Sequence, residues 1–335
     1  MSITAKELAA KLGLSESAIS LALNDKPGVS RATRRRVIEA AKQHGFDFSK
    51  KAVTTLGKKG TICFVIYKKS GAVVSDTPFF SALTDGINMG CRRRRYDCVI
   101  RYLYDDDDIA DQIYTLGNSQ FNGIILLATE IDENSLKSFA QIEVPLVVLD
   151  AYFEKLDFNF IIINNIQGAF MATEYLIKKR RTQPGYLCSD YWISNFDQRA
   201  DGFYKAIRAS GMSTAKSQVL RLTPSQEGAY EDMKQLLESG EKPVDCYFAD
   251  NDLIAFGAML ALKEAGYRIP EDVAVVGFDD MPACEYMSPT LSTIMVPKLF
   301  MGETAAMRVI QLIEGANAPP LKIEVSTKLV KRKSV

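Results

Sequence analysis

The 335-residue chain has a single histidine, His44, and a single tryptophan, Trp192. With no imidazole beyond residue 44, most of the chain can build neither a Ser-His-Asp triad nor a histidine metal site. No G-x-x-x-x-G-K-[ST] phosphate loop occurs, and no G-x-G-x-x-G follows an apolar run. Six cysteines, at 63, 91, 98, 188, 246 and 284, form no C-x-x-C pair, which argues for reduced thiols rather than a disulfide framework or zinc knuckle. No stretch approaches the ~18 to 20 apolar residues of a membrane span. The start, MSITAKELAA, shows no basic segment followed by an apolar core and a cleavage site. An enzyme, a metal site, a cofactor and a membrane partner are therefore not expected, and the cytoplasm is the expected compartment.

What is present is ordinary globular composition, 47% hydrophobic and 24% charged, with a formal net charge of zero. That zero hides an asymmetry. Residues 1–60 carry twelve Lys or Arg against five Asp or Glu, an excess of seven that the remainder cancels. A basic head on an acidic body implies that the head meets a polyanion.

The head reads as three short helices. Thr4 with Glu7 makes a capping box, Leu8, Ala9 and Leu12 give an apolar stripe, and Gly13 stops the first helix. Ser15 can cap a second helix running to about Asn24, with Ala18, Ile19, Ala22 and Leu23 available to face inward. A third helix, capped by Ser30, carries Val37, Ile38 and Ala41 on one face and is expected to end at Gly45 in a left-handed cap. From residue 61 the pattern becomes apolar strands alternating with amphipathic helices: TICFVIY, DCVIRYLY, GIILLA, VPLVVLD, FIIIN, GYLCSD, DCYFAD, VAVVGF and LSTIMV. Such alternation implies parallel sheets covered on both faces, and the run is long enough for two of them, with a break near residues 158 to 164. Ligands of open parallel sheets bind at the carboxyl ends of the strands, and a cleft between two such lobes is the natural place.

The segment TAKELAAKLGLSESAISLALN…KPGVSRATRRRVIEAA, followed by VPLVVLD, ADND and VAVVGFDD, resembles the lactose/galactose repressor (LacI/GalR) family of bacterial transcription regulators over nearly the whole chain. The resemblance implies an α/β fold class: an N-terminal three-helix helix-turn-helix head and a two-lobed, periplasmic-binding-protein-like body with parallel sheets. It implies a DNA-binding domain at 1–48, a hinge at 49–60, and an effector-binding and dimerisation domain at 61–335. Lobe 1 is expected at about 61–160 and 293–322, lobe 2 at about 161–292 and 323–335. It further implies a homodimer, with a tetramer left open, on a near-palindromic double-stranded operator, and a small-molecule effector closing the cleft.

In a helix-turn-helix the second helix enters the major groove, here with Ser15, Glu16, Ser17, Ser20 and Leu21. That helix has no Lys or Arg, so phosphate affinity must come from Lys26, Arg31, Arg34, Arg35 and Arg36, helped by Thr4, Asn24, Ser30 and Thr33 at positions the family uses for backbone contact. Leu21 stands where the family often has a polar or basic reader. An isobutyl group there favours a thymine methyl, and no dominant arginine–guanine contact is expected. The hinge departs further. Phe46 and Phe48 replace the family's tyrosine and proline, Ala52 falls on an expected alanine, and the minor-groove wedge position is Thr55, with Leu56 one place later. Threonine is a poor wedge, so a gentler bend of the operator is expected, with Lys50, Lys51, Lys58 and Lys59 following the backbone.

For the cleft, the resemblance assigns Arg199 in DQRADGF to ligand hydroxyls or a carboxylate, and Asn251, Asp279 and Asp150 to polar positions at strand ends. Phe79, Phe80 and Trp192 complete the effector set. The stretch KKSGAVVSDT, at 68–77, is several residues longer than the family pattern and should lie at the cleft mouth or over a dimer surface; Val296 stands where many members have glutamine. The leading reading is a repressor controlled by a sugar-like, carbohydrate effector. The alternatives are a purine or other metabolite corepressor in the same cleft, a solute-binding protein, which predicts an export signal and no basic head, and a sugar kinase, which requires a D-x-G-x-T turn that is not found.

Overall fold

The structure, a computed structural model, describes residues 4–23, 28–44, 58–74, 78–105, 108–315 and 319–335. The chain divides into two compact units between Lys59 and Gly60.

The first unit holds helices α1 (Ala5–Leu12), α2 (Glu16–Leu23) and α3 (Arg31–Gln43). The capping box forms as the sequence requires: the Thr4 amide donates to Glu7 Oε2 at 2.7 Å, and the Glu7 amide donates to Thr4 Oγ1. Gly13 ends α1 in the left-handed region, at φ 65°. Ser15 Oγ accepts from the Ala18 amide at the start of α2, and Ser30 Oγ from the Thr33 amide at the start of α3. Helix α3 ends at Gln43 with His44 as its cap, at φ −101°; the left-handed Gly45 expected from the sequence lies outside the described residues. Leu8, Ala9, Ile19, Ala22, Val37 and Ala41 form the small core. Arg36 ties α3 to the end of α1 by donating to the Leu12 carbonyl at 3.0 Å.

The second unit alternates strands and helices: β1 (Gly60–Lys68), α4 (Pro78–Arg93), β2 (Tyr96–Tyr104), α5 (Ile109–Gly117), β3 (Gly123–Leu127), α6 (Glu133–Lys137), β4 (Leu146–Leu149), β5 (Asn159–Ile163), α7 (Asn165–Arg180), β6 (Gly185–Ser189), α8 (Ser194–Ala209), β7 (Val219–Leu222), α9 (Gln226–Glu238), β8 (Cys246–Ala249), α10 (Asp252–Glu264), β9 (Ala274–Asp279), β10 (Ser292–Met295), α11 (Lys298–Ile313), β11 (Lys322–Val325) and β12 (Lys328–Val330). One sheet has the order β11-β5-β4-β3-β1-β2, all parallel; the other is β12-β10-β9-β8-β6-β7, parallel except where β12 runs against β10. Continuous apolar runs such as GIILL and AVVGF are buried on both faces, which is why these strands occupy sheet interiors.

The chain crosses between lobes three times. Strand β5 stays in the first sheet to Ile163, β10 in the second to Met295, and β11 in the first to Val325. Each crossing falls about three residues beyond the boundary expected from the sequence, because it follows the end of a paired strand rather than the start of an apolar run. Helices α4 and α11 pack at very close range: a Cβ on Gly86 would lie 2.0 Å from the Leu299 carbonyl oxygen, and one on Gly302 2.1 Å from that of Leu83. Among the described residues no helix is long and apolar enough to cross a membrane.

Candidate functional site

The carboxyl ends of β4, β8 and β9 converge on one cleft within the second unit. Its walls include Val73, Phe79, Phe80, Thr129, Asp150, Ile193, Asn195, Phe196, Arg199, Pro224, Asn251, Leu253, Asp279 and Met281. The cleft encloses only about 40 Å³. That is far below the ~300 to 1,000 Å³ of ligand pockets, so the lobes stand closed.

Arg199, on α8 and 3% exposed, is the hub. Its Nε donates to Asn165 Oδ1 at 3.0 Å, one terminal nitrogen donates to the Asp250 carbonyl, and the other reaches Asp279 Oδ1 at 3.4 Å. The guanidinium also lies 3.8 Å from the Phe278 ring centroid. A planar fork held on three sides is a fixed directional donor rather than a mobile charge.

Asp150, at the end of β4, belongs to the first lobe and sits at φ 67°. Thr129 donates to its carboxylate at 2.7 Å, and Asn195 of the second lobe donates to both its Oδ1 and its carbonyl at 3.0 Å. Burial pushes the Asp150 carboxyl up to about 6, against the pull of Thr129, Arg199 and Asn195. Asp279 is likewise raised by burial, opposed by Arg199 and Lys298. Asp250 is pushed up to about 7 by burial, although the Tyr186 hydroxyl and the Ser189 amide donate to it. Lys298, which opens α11, donates to the backbone carbonyls of Asp279 and Asp280. The cleft thus contains more carboxylate than guanidinium, and the guanidinium is already engaged.

Six of the seven predicted effector residues come together here: Phe79, Phe80, Asp150, Arg199, Asn251 and Asp279. Phe79 and Phe80 meet edge to face at 5.0 Å. Asn251 doubles as the N-cap of α10, its Oδ1 accepting from the Ile254 amide at 2.8 Å. Trp192 is a correction. It is half exposed, its Nε1 donates to Asp197 at 2.6 Å, and it lines grooves outside the cleft. The residues of SDYWISN that do enter are Ile193 and Asn195; neither has an aromatic signature, so the sequence draws the eye to their neighbour. Thr129, Asn165 and Asp250 were also missed, since single polar residues after apolar runs look alike in sequence.

The long loop lies at the cleft mouth. Glu130 accepts from the amides of Lys69, Ser70 and Gly71 on Oε2 and from those of Val73 and Val74 on Oε1, all within 3.0 Å. Burial would raise the Glu130 carboxyl, but these five donors outweigh it and hold it below its ordinary value. The loop places Val73 in the cleft wall. Val296 is buried in the hydrophobic core.

In the first unit, Glu16, Ser17 and Ser20 are exposed on α2 opposite the buried Ile19 and Ala22, and Leu21 is half-buried. Thr4, Ser15 and Ser30 are exposed and serve as helix caps; Thr4 Oγ1 also donates to Glu7. Thr33 and Arg34 are half-buried, Arg35 pairs with Glu39, and Arg36 is spent on Leu12. Asn24, Lys26, Lys51 and Leu56, with residues 45–57 and so most of the hinge expected at 49–60, lie outside the described residues.

Comparison with known proteins agrees with this architecture. A periplasmic binding protein-like domain profile matches residues 173–335. The helix-turn-helix-type transcriptional repressor PurR of Mannheimia succiniciproducens is 29% identical over 99% of this chain and 98% of its own length. A transcriptional regulator CelR–cellobiose complex superposes with a TM-score of 0.75 at 24% identity, covering 99% of this chain and all of that one. The lac repressor dimer bound to operator and the anti-inducer ONPF gives 0.71 at 22%, covering 100% and 99%. Over nearly its whole length the chain is similar to transcription regulators of the LacI/GalR kind. These similar proteins are named as transcriptional repressors or regulators, not enzymes; CelR is in complex with cellobiose, and the lac repressor is a dimer on its operator with an anti-inducer.

Proposed function

We propose that this chain is a LacI/GalR-type regulator, a cytoplasmic homodimeric repressor whose operator affinity is set by a small, uncharged, sugar-like effector bound between the lobes. The observation that carries this reading is the fixed Arg199 fork facing Asp150 and Asp279 in one cleft. Donors and acceptors held rigidly in a dry site discriminate hydroxyl patterns, because a missing hydroxyl leaves a buried polar group unpaired. The head would read DNA through Ser15, Glu16, Ser17, Ser20 and Leu21, with Thr4, Asn24, Ser30, Thr33, Arg34, Lys51 and Leu56 on the backbone or at the operator centre.

A purine corepressor is the second reading, favoured by the full-length likeness to PurR proteins. Phe79, Phe80 and Phe196 in the cleft walls offer such a ring aromatic surface, while Asp150, Arg199, Asn251 and Asp279 offer the polar groups that suit hydroxyls. A thermal-shift screen of monosaccharides, disaccharides, phosphosugars and purines decides between them, since binding stabilises by RT ln(1 + [L]/Kd). Stabilisation by neutral sugars, lost in Arg199→Ala, is expected; stabilisation by purines alone would overturn the sugar reading.

A further inference from the structure

Strand β2 carries opposite charge at its two ends: the chain reads RRRR at 92–95 before it and DDDD at 105–108 after it. Arg92 and Arg93 close α4, and Arg94 and Arg95 make the turn into Tyr96, Arg95 at φ 67°. All four are exposed. Arg93 is paired with Glu303 on α11, whereas among the described residues Arg92, Arg94 and Arg95 have no acidic partner. A cation in the last turn of a helix offsets the negative end of its dipole, but that effect fades within the turn and does not explain two more arginines beyond it. Contiguous like charges repel, and a polyanion relieves that repulsion.

The position of the turn identifies the polyanion. Tyr96 pairs in register with Gly60, the first residue of β1, so the arginines lie at the end of the sheet where the chain arrives from the head. Exposed Lys58 and Lys59 immediately precede Gly60. Between His44 and Gly60 the chain is short enough to extend at most about 55 Å. A duplex gripped by the head is therefore within reach of this end of the body. At the other end of β2, Asp105 accepts from the Tyr67 hydroxyl and Asp108 caps α5, so the acidic end faces the cleft side and repels DNA.

We propose that Arg92, Arg94 and Arg95 form a second, sequence-independent phosphate-binding surface, on the effector-binding body, that grips duplex DNA flanking the operator. This rests on the reading of the head as a DNA-binding unit. Such contacts release counterions, each adding about 0.9 to the slope of log K against log salt.

The test uses the full chain and its Arg92→Gln/Arg94→Gln/Arg95→Gln variant. Folding is checked by the thermal melt. Binding is titrated over a range of salt on a duplex of about 40 base pairs and on one of about 18 that covers only two half-sites about ten base pairs apart. On the long duplex the variant should show a slope smaller by about two to three for each protomer whose arginines reach DNA, about five for the dimer, and at least tenfold weaker binding at ~0.1 M salt, equally for operator and random sequence. On the short duplex it should match the parent. Equal slopes and affinities on the long duplex, with the parent still binding its operator, would overturn the body surface alone. A parent that binds no duplex would overturn the head reading and this one together.

Discussion

Asn195 and Asp150 join the two lobes of the body: the carboxamide of one donates to both the carboxylate and the carbonyl of the other, each at 3.0 Å. Asn165 donates in turn to Asn195, and Arg199 to Asn165, so the cross-cleft tie and the cleft guanidinium belong to one chain of hydrogen bonds. An effector that competes for Arg199 or Asp150 must act on lobe closure. Asn195→Ala should cost the closed body about 1 to 3 kcal/mol, because it removes a donor from a buried carboxylate. A melt lowered by a few degrees, together with a larger radius of gyration by X-ray scattering, is the expected result.

Stability should depend on pH in two opposite directions. Burial raises Asp150 to about 6 and Asp250 to about 7; Asp252 also reaches about 7, through burial and the neighbouring Asp279 charge. Folded carboxyls that hold protons more tightly than the unfolded chain stabilise it as pH falls from about 7 toward about 4. Glu130 has the reverse sign: its folded value is depressed, so its contribution is full above its ordinary value of 4.5 and is lost as pH falls through the folded value. The body should melt higher at pH 5.5 than at pH 8 and then lose stability below about pH 4. Asp250→Asn should flatten the upper limb, which calorimetry across that range will show.

Glu130→Gln should release half of the loop at the cleft mouth. An amide has one acceptor oxygen and an NH2 that cannot accept, so either Lys69, Ser70 and Gly71 or Val73 and Val74 lose their partner. A loss of about 2 kcal/mol is expected, with faster amide hydrogen exchange confined to residues 69–74. Unchanged exchange there would mean that the loop is held by other contacts.

Gly86→Ala tests the close packing of α4 on α11. The added Cβ meets the Leu299 backbone carbonyl, which cannot rotate away, so the helices must part. A destabilisation of about 1 to 3 kcal/mol is expected by chemical denaturation, with the head's helical content unaffected.

Much of this was legible in the sequence. Nine strands announced themselves as apolar runs, and the Thr4–Glu7 capping box, the Ser15 and Ser30 caps and Gly13 marked the first helices. Strands β7, β11 and β12 did not, and each is a sheet edge: VLRL, KIEV and KLV are partly exposed and carry charge, so no apolar run marks them. The cleft was legible where a residue ends an apolar strand or carries a family motif, as with Asp150, Asn251, Asp279 and Arg199. It was not legible where the role depends on three-dimensional pairing, as with Asn195, Asn165 and the Glu130 nest. Trp192 shows the converse: rarity in sequence drew attention to a side chain that the fold turns outward.

The central claim is that a salt-sensitive DNA reader is coupled to a ligand-sensing cleft. The most direct measurement is fluorescence anisotropy of the full chain on a duplex selected from random sequence, with and without the compound that stabilises the body most. A near-palindromic duplex bound with strong salt dependence, its affinity changed roughly 5- to 150-fold by that compound, is the predicted result. No preference for any duplex, or an affinity indifferent to every body-stabilising ligand, would contradict it.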